Sequence, residues 1–333
     1  MKIILGYEWK YTEKHWLHQL LEKQGWEVVV VDSRNVDRRK KLKKWHKIFE
    51  LCDYFVIANK ARKIAKQGDI FISWCCTTGV IFSALFKRQK CKVLALHLLT
   101  QKNDSFTGKL RNILYFRALN NPFFHTACST NAGIEIAIDI FGEKYREKFC
   151  LLNDAFISEK IEIVKKSRDY CFSGGASGRD WVTLCRVCQM CPEIQFLIVA
   201  GSGTFDNRIQ FPPNVEIYFD IAKSDFDEKL RGAKMVALPL ISEMTSGLIV
   251  LFEAIRNQII TVSSNIEAVE HYYPERYREL LCPIGDAERM AMVIKKYYML
   301  DNTKIALDIL QYNEDNNSIS EYGNALSRIL ESL

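Results

Sequence analysis

Short apolar runs alternate with amphipathic stretches along nearly the whole chain. Runs at residues 2–5, 28–31, 70–74, 92–96 and 124–128 have the length and β-branched content of buried strands. Between them apolar positions recur every three or four residues, the helical period, as in the stretch from Thr12 to Lys23. The alternation restarts past residue 150. Strands are expected at 169–173, 195–200, 215–218, 235–238 and 259–262, with helices opening near Arg179, Ser224, Ser246 and Asn265. The chain after Asn302 reads as helical, with a polar interruption at 313–318. Strand–helix alternation of this kind predicts parallel sheets covered by helices. Two such series predict an α/β protein of two doubly wound, Rossmann-like domains, 1–150 and 151–333, facing across a cleft. The aperiodic residues 151–158 would be the hinge, and the last helix could cross back to the first domain. Ligands of such sheets sit beyond the carboxyl ends of the strands, so the cleft is the expected site.

The longest uncharged stretch, residues 70–86, has 17 residues, below the roughly 20 of a helical membrane span. Thr77-Thr78-Gly79 is expected to divide it into strand, loop and helix. The first six residues lack the apolar run of a secretory leader. Together with eleven cysteines this points to free thiols in a reducing cytoplasm. Cys185, Cys188 and Cys191 have a spacing that suits either a metal cluster or one buried helix side; no matching pair or histidine lies nearby, which favours the helix side.

The net charge of +6 is uneven, because residues 34–66 hold twelve Lys/Arg against Asp37, Glu50 and Asp53. Leu42, Trp45, Ile48, Phe49, Cys52, Phe55 and Val56 recur through this segment at helical spacing. It reads as a basic amphipathic helix, either docked on its own core or turned toward anionic membrane headgroups. No nucleic-acid motif accompanies the charge.

Three βα turns in the second half carry candidate chemistry. Phe172-Ser-Gly-Gly-Ala-Ser-Gly-Arg179 follows a strand and opens a helix. Its glycines, Gly175 among them, let backbone approach a ligand, and the Arg179 guanidinium suits a diphosphate. It lacks both the Gly-x-Gly-x-x-Gly spacing and the Lys-Ser/Thr of a P-loop. Gly201, after the strand at 195–200, opens a second small turn. The third, Glu243-Met-Thr-Ser-Gly-Leu-Ile-Val-Leu-Phe-Glu253, places Thr245, Ser246, Gly247 and Leu248 at a helix start, where free amides and a positive dipole end favour phosphate. Carboxylates on either side, Glu243 and Glu253, suit sugar or ribose hydroxyls. Phosphate plus hydroxyls suggests a nucleotide-sugar. Glu253 sits between Phe252 and Ala254 and needs a partner there.

In this order and spacing the three turns resemble the donor domain of the retaining GT-B glycosyltransferases of family 4 (group 1). Gly-Gly-Ala-Ser-Gly-Arg-Asp-Trp-Val-Thr-Leu resembles that family's first donor βα turn, and Thr-Ser-Gly-Leu-Ile-Val-Leu-Phe-Glu-Ala its carboxylate motif. Cys128-Ser-Thr and Asn153-Asp154 also fit the family pattern. The resemblance implies a metal-independent hexosyltransferase with no cofactor beyond a nucleoside-diphosphate sugar donor. It implies a glycan or lipid-linked glycan acceptor held by the first domain, in surface polysaccharide or glycoconjugate synthesis. By resemblance Arg179 would contact the donor diphosphate, Glu253 the ribose, and His97, after the strand at 92–96, the transferred sugar. Gly6 would form a turn beside the diphosphate, and Glu8 is a candidate for acceptor contact or for the base. One departure stands out: the family's first glutamate position is occupied by Thr245, with Glu243 two residues upstream. That leaves open a non-catalytic nucleotide-sugar binder or a GT-B sugar-nucleotide epimerase.

Overall fold

The structure, a computed structural model, describes residues 1–33, 46–86, 90–98, 106–158, 169–175, 177–206, 208–241 and 247–333. Glu243, Thr245, Ser246 and residues 34–45 of the basic segment lie outside them. The chain divides into two compact units, Met1–Asp154 with Ile319–Leu333, and Ala155–Ser318.

In the first unit β1 (Ile3–Tyr7), β2 (Val28–Asp32), β3 (Ile70–Ser73), β4 (Lys92–Ala95), β5 (Phe124–Cys128) and β6 (Phe149–Leu151) form one sheet in the order β2-β1-β3-β4-β5-β6. All five pairings are parallel. Strands β1 and β3 are buried along their whole length, which is why they are apolar on both faces rather than alternating. The helices are α1 (Trp16–Lys23), α2 (His46–Ile64), α3 (Cys76–Leu85), α4 (Phe106–Leu119) and α5 (Asn131–Phe141). Thr130 caps α5 by accepting from the Gly133 amide at 2.9 Å.

In the second unit β7 (Tyr170–Gly175), β8 (Gln195–Ala200), β9 (Val215–Phe219), β10 (Met235–Leu238), β11 (Thr261–Ser264) and β12 (Leu281–Cys282) pair in the order β12-β11-β10-β7-β8-β9, again all parallel. Its helices are α6 (Trp181–Met190), α7 (Lys223–Arg231), α8 (Leu248–Arg256), α9 (Glu267–Glu270), α10 (Ala287–Tyr298) and α11 (Thr303–Asn316). Asp180 and Asp286 cap α6 and α10 through the amides of Thr183 and Arg289. The final helix, α12 (Ile319–Ser332), belongs to the first unit, where Tyr322 meets Trp16 edge-on at 5.0 Å and the Gly323 carbonyl accepts from Gln24.

Each sheet reverses strand order once, between β1 and β3 in the first unit and between β7 and β10 in the second. Such switch points open a crevice at the carboxyl ends of the flanking strands.

All ten expected strands are present, and β6 and β12 were missed because two or three residues at a sheet edge carry no period. Four further expectations are corrected. The first helix opens at Trp16, not near Thr12, because residues 8–15 are held in a loop by contacts such as Tyr11 N to Asp32 Oδ2 at 3.0 Å. Thr77-Thr78-Gly79 is not a loop but part of α3. A Cβ on Gly79 would come within 2.5 Å of Ser73 Oγ, so glycine there serves close helix–sheet packing. Gly6 lies inside β1, where a Cβ would meet the Phe71 ring at 2.9 Å; it is a packing glycine, not a turn. Helix α2 runs unbroken past Asp53, and its core side is Ile57, Ala58 and Ala61. Cys52, Phe55 and Val56 of the expected stripe face solvent instead, with Leu51 beside them.

Cys185, Cys188 and Cys191 are buried along one side of α6, and burial pushes their thiols up. No described helix is long and apolar enough to cross a membrane.

Candidate functional site

The switch point of the second unit collects most of the candidate residues. Strand β7 ends in Gly174-Gly175, and Gly175 has φ +121°, a conformation that L side chains rarely adopt. A Cβ at Gly175 would lie 2.2 Å from Arg179 Nη2. The glycine therefore makes room for the arginine, which folds back over the turn. Arg179 Nε donates to the Gly174 carbonyl at 2.7 Å and Nη1 to the Ser177 carbonyl at 2.8 Å. The side chain is 7 % exposed, and burial alone pushes its guanidinium down to about 10. No carboxylate pairs with it among the described residues. Helix α6 starts at Trp181, so Arg179 stands before the helix rather than in its first turn.

The turns after β7, β10 and β11 are tied into one floor. Arg179 bridges Leu240 backbone to backbone, the Asp180 amide donates to the Pro239 carbonyl, and the Ile241 amide donates to Gly178. Ser264 Oγ accepts from the Leu240 amide at 2.8 Å. Beyond this floor Gly247 caps α8 with no side-chain bond. The Val250 and Leu251 amides turn back to the Gly247 carbonyl, while those of Leu248 and Ile249 have no acceptor among the described residues. A Cβ on Gly247 would press on Leu240 and Leu238 at 3.1–3.3 Å, which seats the helix start against the strand end.

Glu253 has a partner already. Its Oε1 accepts from Arg256 Nη1 at 2.8 Å, and Arg256 Nε in turn donates to the Ile157 carbonyl. Gly201, at the end of β8, opens a turn closed by the Thr204 amide, and the next residue, Ser202, is bonded to Asp220 at the end of β9.

His97 lies in the first unit, just past β4, with φ +54°. Its Nδ1 is 3.3 Å from Asp154 Oδ1, its ring packs 4.7 Å from that of Trp74, and its Nε2 is buried without a hydrogen-bond partner among the described residues. Glu8 is 9 % exposed and accepts from Thr78 Oγ1 at 2.7 Å and from the Cys75 amide. Cys128-Ser-Thr and Asn153-Asp154 have structural roles as well: Thr130 caps α5, and Asn153 Nδ2 donates to the Ser129 carbonyl.

No family model and no curated protein matches the chain. Solved structures do. HepE of Anabaena, in complex with UDP-glucose, superposes with a TM-score of 0.68 at 12% identity, over 100% of both chains. Sucrose-phosphate synthase of Thermosynechococcus elongatus gives 0.66 at 12% identity, over 100% of this chain and 99% of that one. The lipopolysaccharide outer core galactosyltransferase WaaB, in its apo form, gives 0.58 at 10% identity over 100% of both. The fold is GT-B.

In this GT-B chain the sequence pointed to the turns of the second unit but missed three things. Asp154 is the partner of His97 across 57 positions, Ser264 supports the Leu240 turn, and Trp9, Trp16 and Trp74 gather around His97 and His15. The one available signal was the density of rings between residues 7 and 18, where Tyr7, Trp9, Tyr11, His15, Trp16 and His18 crowd together.

Proposed function

We propose that the protein is a metal-independent, retaining glycosyltransferase. It would move a hexosyl group from a nucleoside-diphosphate sugar to a hydroxyl of a glycan or lipid-linked glycan, in surface polysaccharide or glycoconjugate synthesis. The observation that carries this reading is the buried Arg179 guanidinium, which has no carboxylate partner among the described residues and stands at a switch point beside the open amino end of α8. A buried cation satisfied only by carbonyls is costly, and an incoming diphosphate relieves that cost. HepE, of the same fold, was solved with UDP-glucose, which supports the choice of anion.

In the reaction the acceptor oxygen bonds to the anomeric carbon as the bond from that carbon to the diphosphate breaks. The departing diphosphate gathers negative charge and takes the acceptor's proton. Arg179 and the Leu248 amide, with Ser246 and Gly247, stabilise that charge as it grows, so the barrier falls without a metal ion. Gly175 and Gly201 let the turns approach the donor. Glu253 holds the ribose through the oxygen that Arg256 leaves unused. Glu243 and Thr245 are assigned to donor binding from the sequence, and His97 acts on the transferred ring through Nε2. The first unit binds the acceptor. The apolar face of α2 (Leu51, Phe55, Val56), next to a segment rich in Lys and Arg, fits an anionic membrane surface that presents a lipid-linked acceptor.

The decisive experiment incubates the protein with UDP- and GDP-sugars, with and without EDTA, and follows the sugar by NMR. Release of the nucleoside diphosphate with an α-configured product from an α-configured donor, unaffected by EDTA, supports the reading. Interconversion of the sugar would indicate an epimerase, and binding alone a non-catalytic protein.

A further inference from the structure

We propose that the aromatic cluster at the carboxyl edge of the first unit's sheet is a carbohydrate subsite that takes one uncharged pyranose ring. Under the transferase reading this ring belongs to the acceptor; the subsite itself does not rest on that reading.

The cluster stands where the topology opens a crevice. Tyr7 ends β1 and Trp74 follows β3, the two strands that flank the first unit's switch point, and His97 follows β4. Trp9 meets Tyr7 at 4.7 Å and Trp74 edge-on at 5.8 Å; Trp74 meets His15 at 4.7 Å, His97 at 4.7 Å and Trp16 at 6.0 Å. A core cluster would be fully buried. Tyr7 is, but Trp9, Trp16 and Trp74 are half-buried, and neither hydrophobic core contains them. Half-buried indoles at a crevice present flat apolar faces beside water, the surface on which the C–H face of a sugar ring stacks.

The polar groups at this place select among ligands. His97 Nε2, buried without a partner among the described residues, offers a ring nitrogen to a sugar hydroxyl. His15 is held neutral near pH 7, its ring pushed down to about 4 by burial and then by His97. Two carboxylates stand close by, Glu8 against Thr78 and Asp154 against His97. Carboxylates beside the neutral His15 ring repel a phosphate and accept from hydroxyls, so the chemistry favours a neutral sugar over a phosphorylated headgroup.

The test uses the full-length protein and saturation-transfer NMR. The probes are methyl glycosides of glucose, galactose and N-acetylglucosamine, and maltose, each with and without saturating UDP. Transfer to the ring C–H protons of at least one probe is expected, undiminished by UDP. In Trp9→Ala and Trp74→Ala the dissociation constant should rise about tenfold, while the UDP-induced shift in Tm stays unchanged. Trp9 lies on the loop after β1, so its truncation leaves the sheet covered, and it decides the matter if Trp74→Ala fails to fold. No transfer to any probe in the wild type, or equal transfer in the folded variants, overturns the proposal. Transfer without any UDP shift would keep this subsite and sink the donor reading.

Discussion

At the scale of single residues, the second unit's candidate site depends on the glycine that ends β7 and on an arginine four residues later. Gly175 has a backbone suited only to glycine, and the space its Cβ would fill holds the Arg179 guanidinium. Gly175→Ala is therefore expected to destabilise the protein by about 1–3 kcal/mol and to remove the thermal shift given by UDP. A variant that keeps the full shift would separate Arg179 from nucleotide binding. Glu253 leads to a second expectation. The wild type should bind UDP more tightly than 2′,3′-dideoxy-UDP, and Glu253→Gln should erase the difference, as isothermal calorimetry would show; a difference that persists assigns the ribose elsewhere. The carboxylate was singled out in the sequence for lying among apolar neighbours, but Arg256, three residues on, was not recognised as its partner. Helical geometry makes that pairing natural. Arg179 was legible as a charge near a glycine turn. That it would be buried against carbonyls was not, because a sequence does not show which way a turn folds.

At the scale of elements, hydrophobic period located the strands but misjudged one helix. The residues from Leu51 to Ala61 are so rich in apolar side chains that two stripes compete for the core. Packing against α3 and the sheet chose Ile57, Ala58 and Ala61, leaving Leu51, Phe55 and Val56 outward at 39–47% exposure. That exposed apolar face, within a segment whose sequence is strongly basic, gives an element-scale prediction. The protein should sediment with phosphatidylglycerol vesicles at low salt, and Phe55→Ser with Val56→Ser should weaken this several-fold without loss of helical circular dichroism. Equal sedimentation of the double variant would mean that charge alone holds it, and no sedimentation of the wild type would remove the membrane from the proposed function.

For the molecule as a whole, two histidines contribute to its behaviour in acid. Burial pushes His15 and His125 down to about 4, with His97 adding to the first, and Lys148 and Lys92 to the second. The unfolded chain binds protons at these groups near pH 6.5 and the folded one does not, so their contribution is intact above pH 6.5 and is lost as pH falls toward 4. The Tm should fall over that window. His125→Gln should flatten the fall by an amount on the order of 2 kcal/mol, read from denaturant unfolding at pH 7 and pH 4.5; identical pH slopes would refute it. The sequence by itself determined the two α/β series and their parallel sheets, because strand burial, helical period and turn residues are local and repeat along the chain. It could not determine strand order, and therefore where each sheet reverses. Tertiary structure alone decided that β1 and β3 would gather Tyr7, Trp9 and Trp74 with His97, that Asp154 would face His97, and that α12 would join the first unit. These are contacts between distant positions, and local preference carries no record of them.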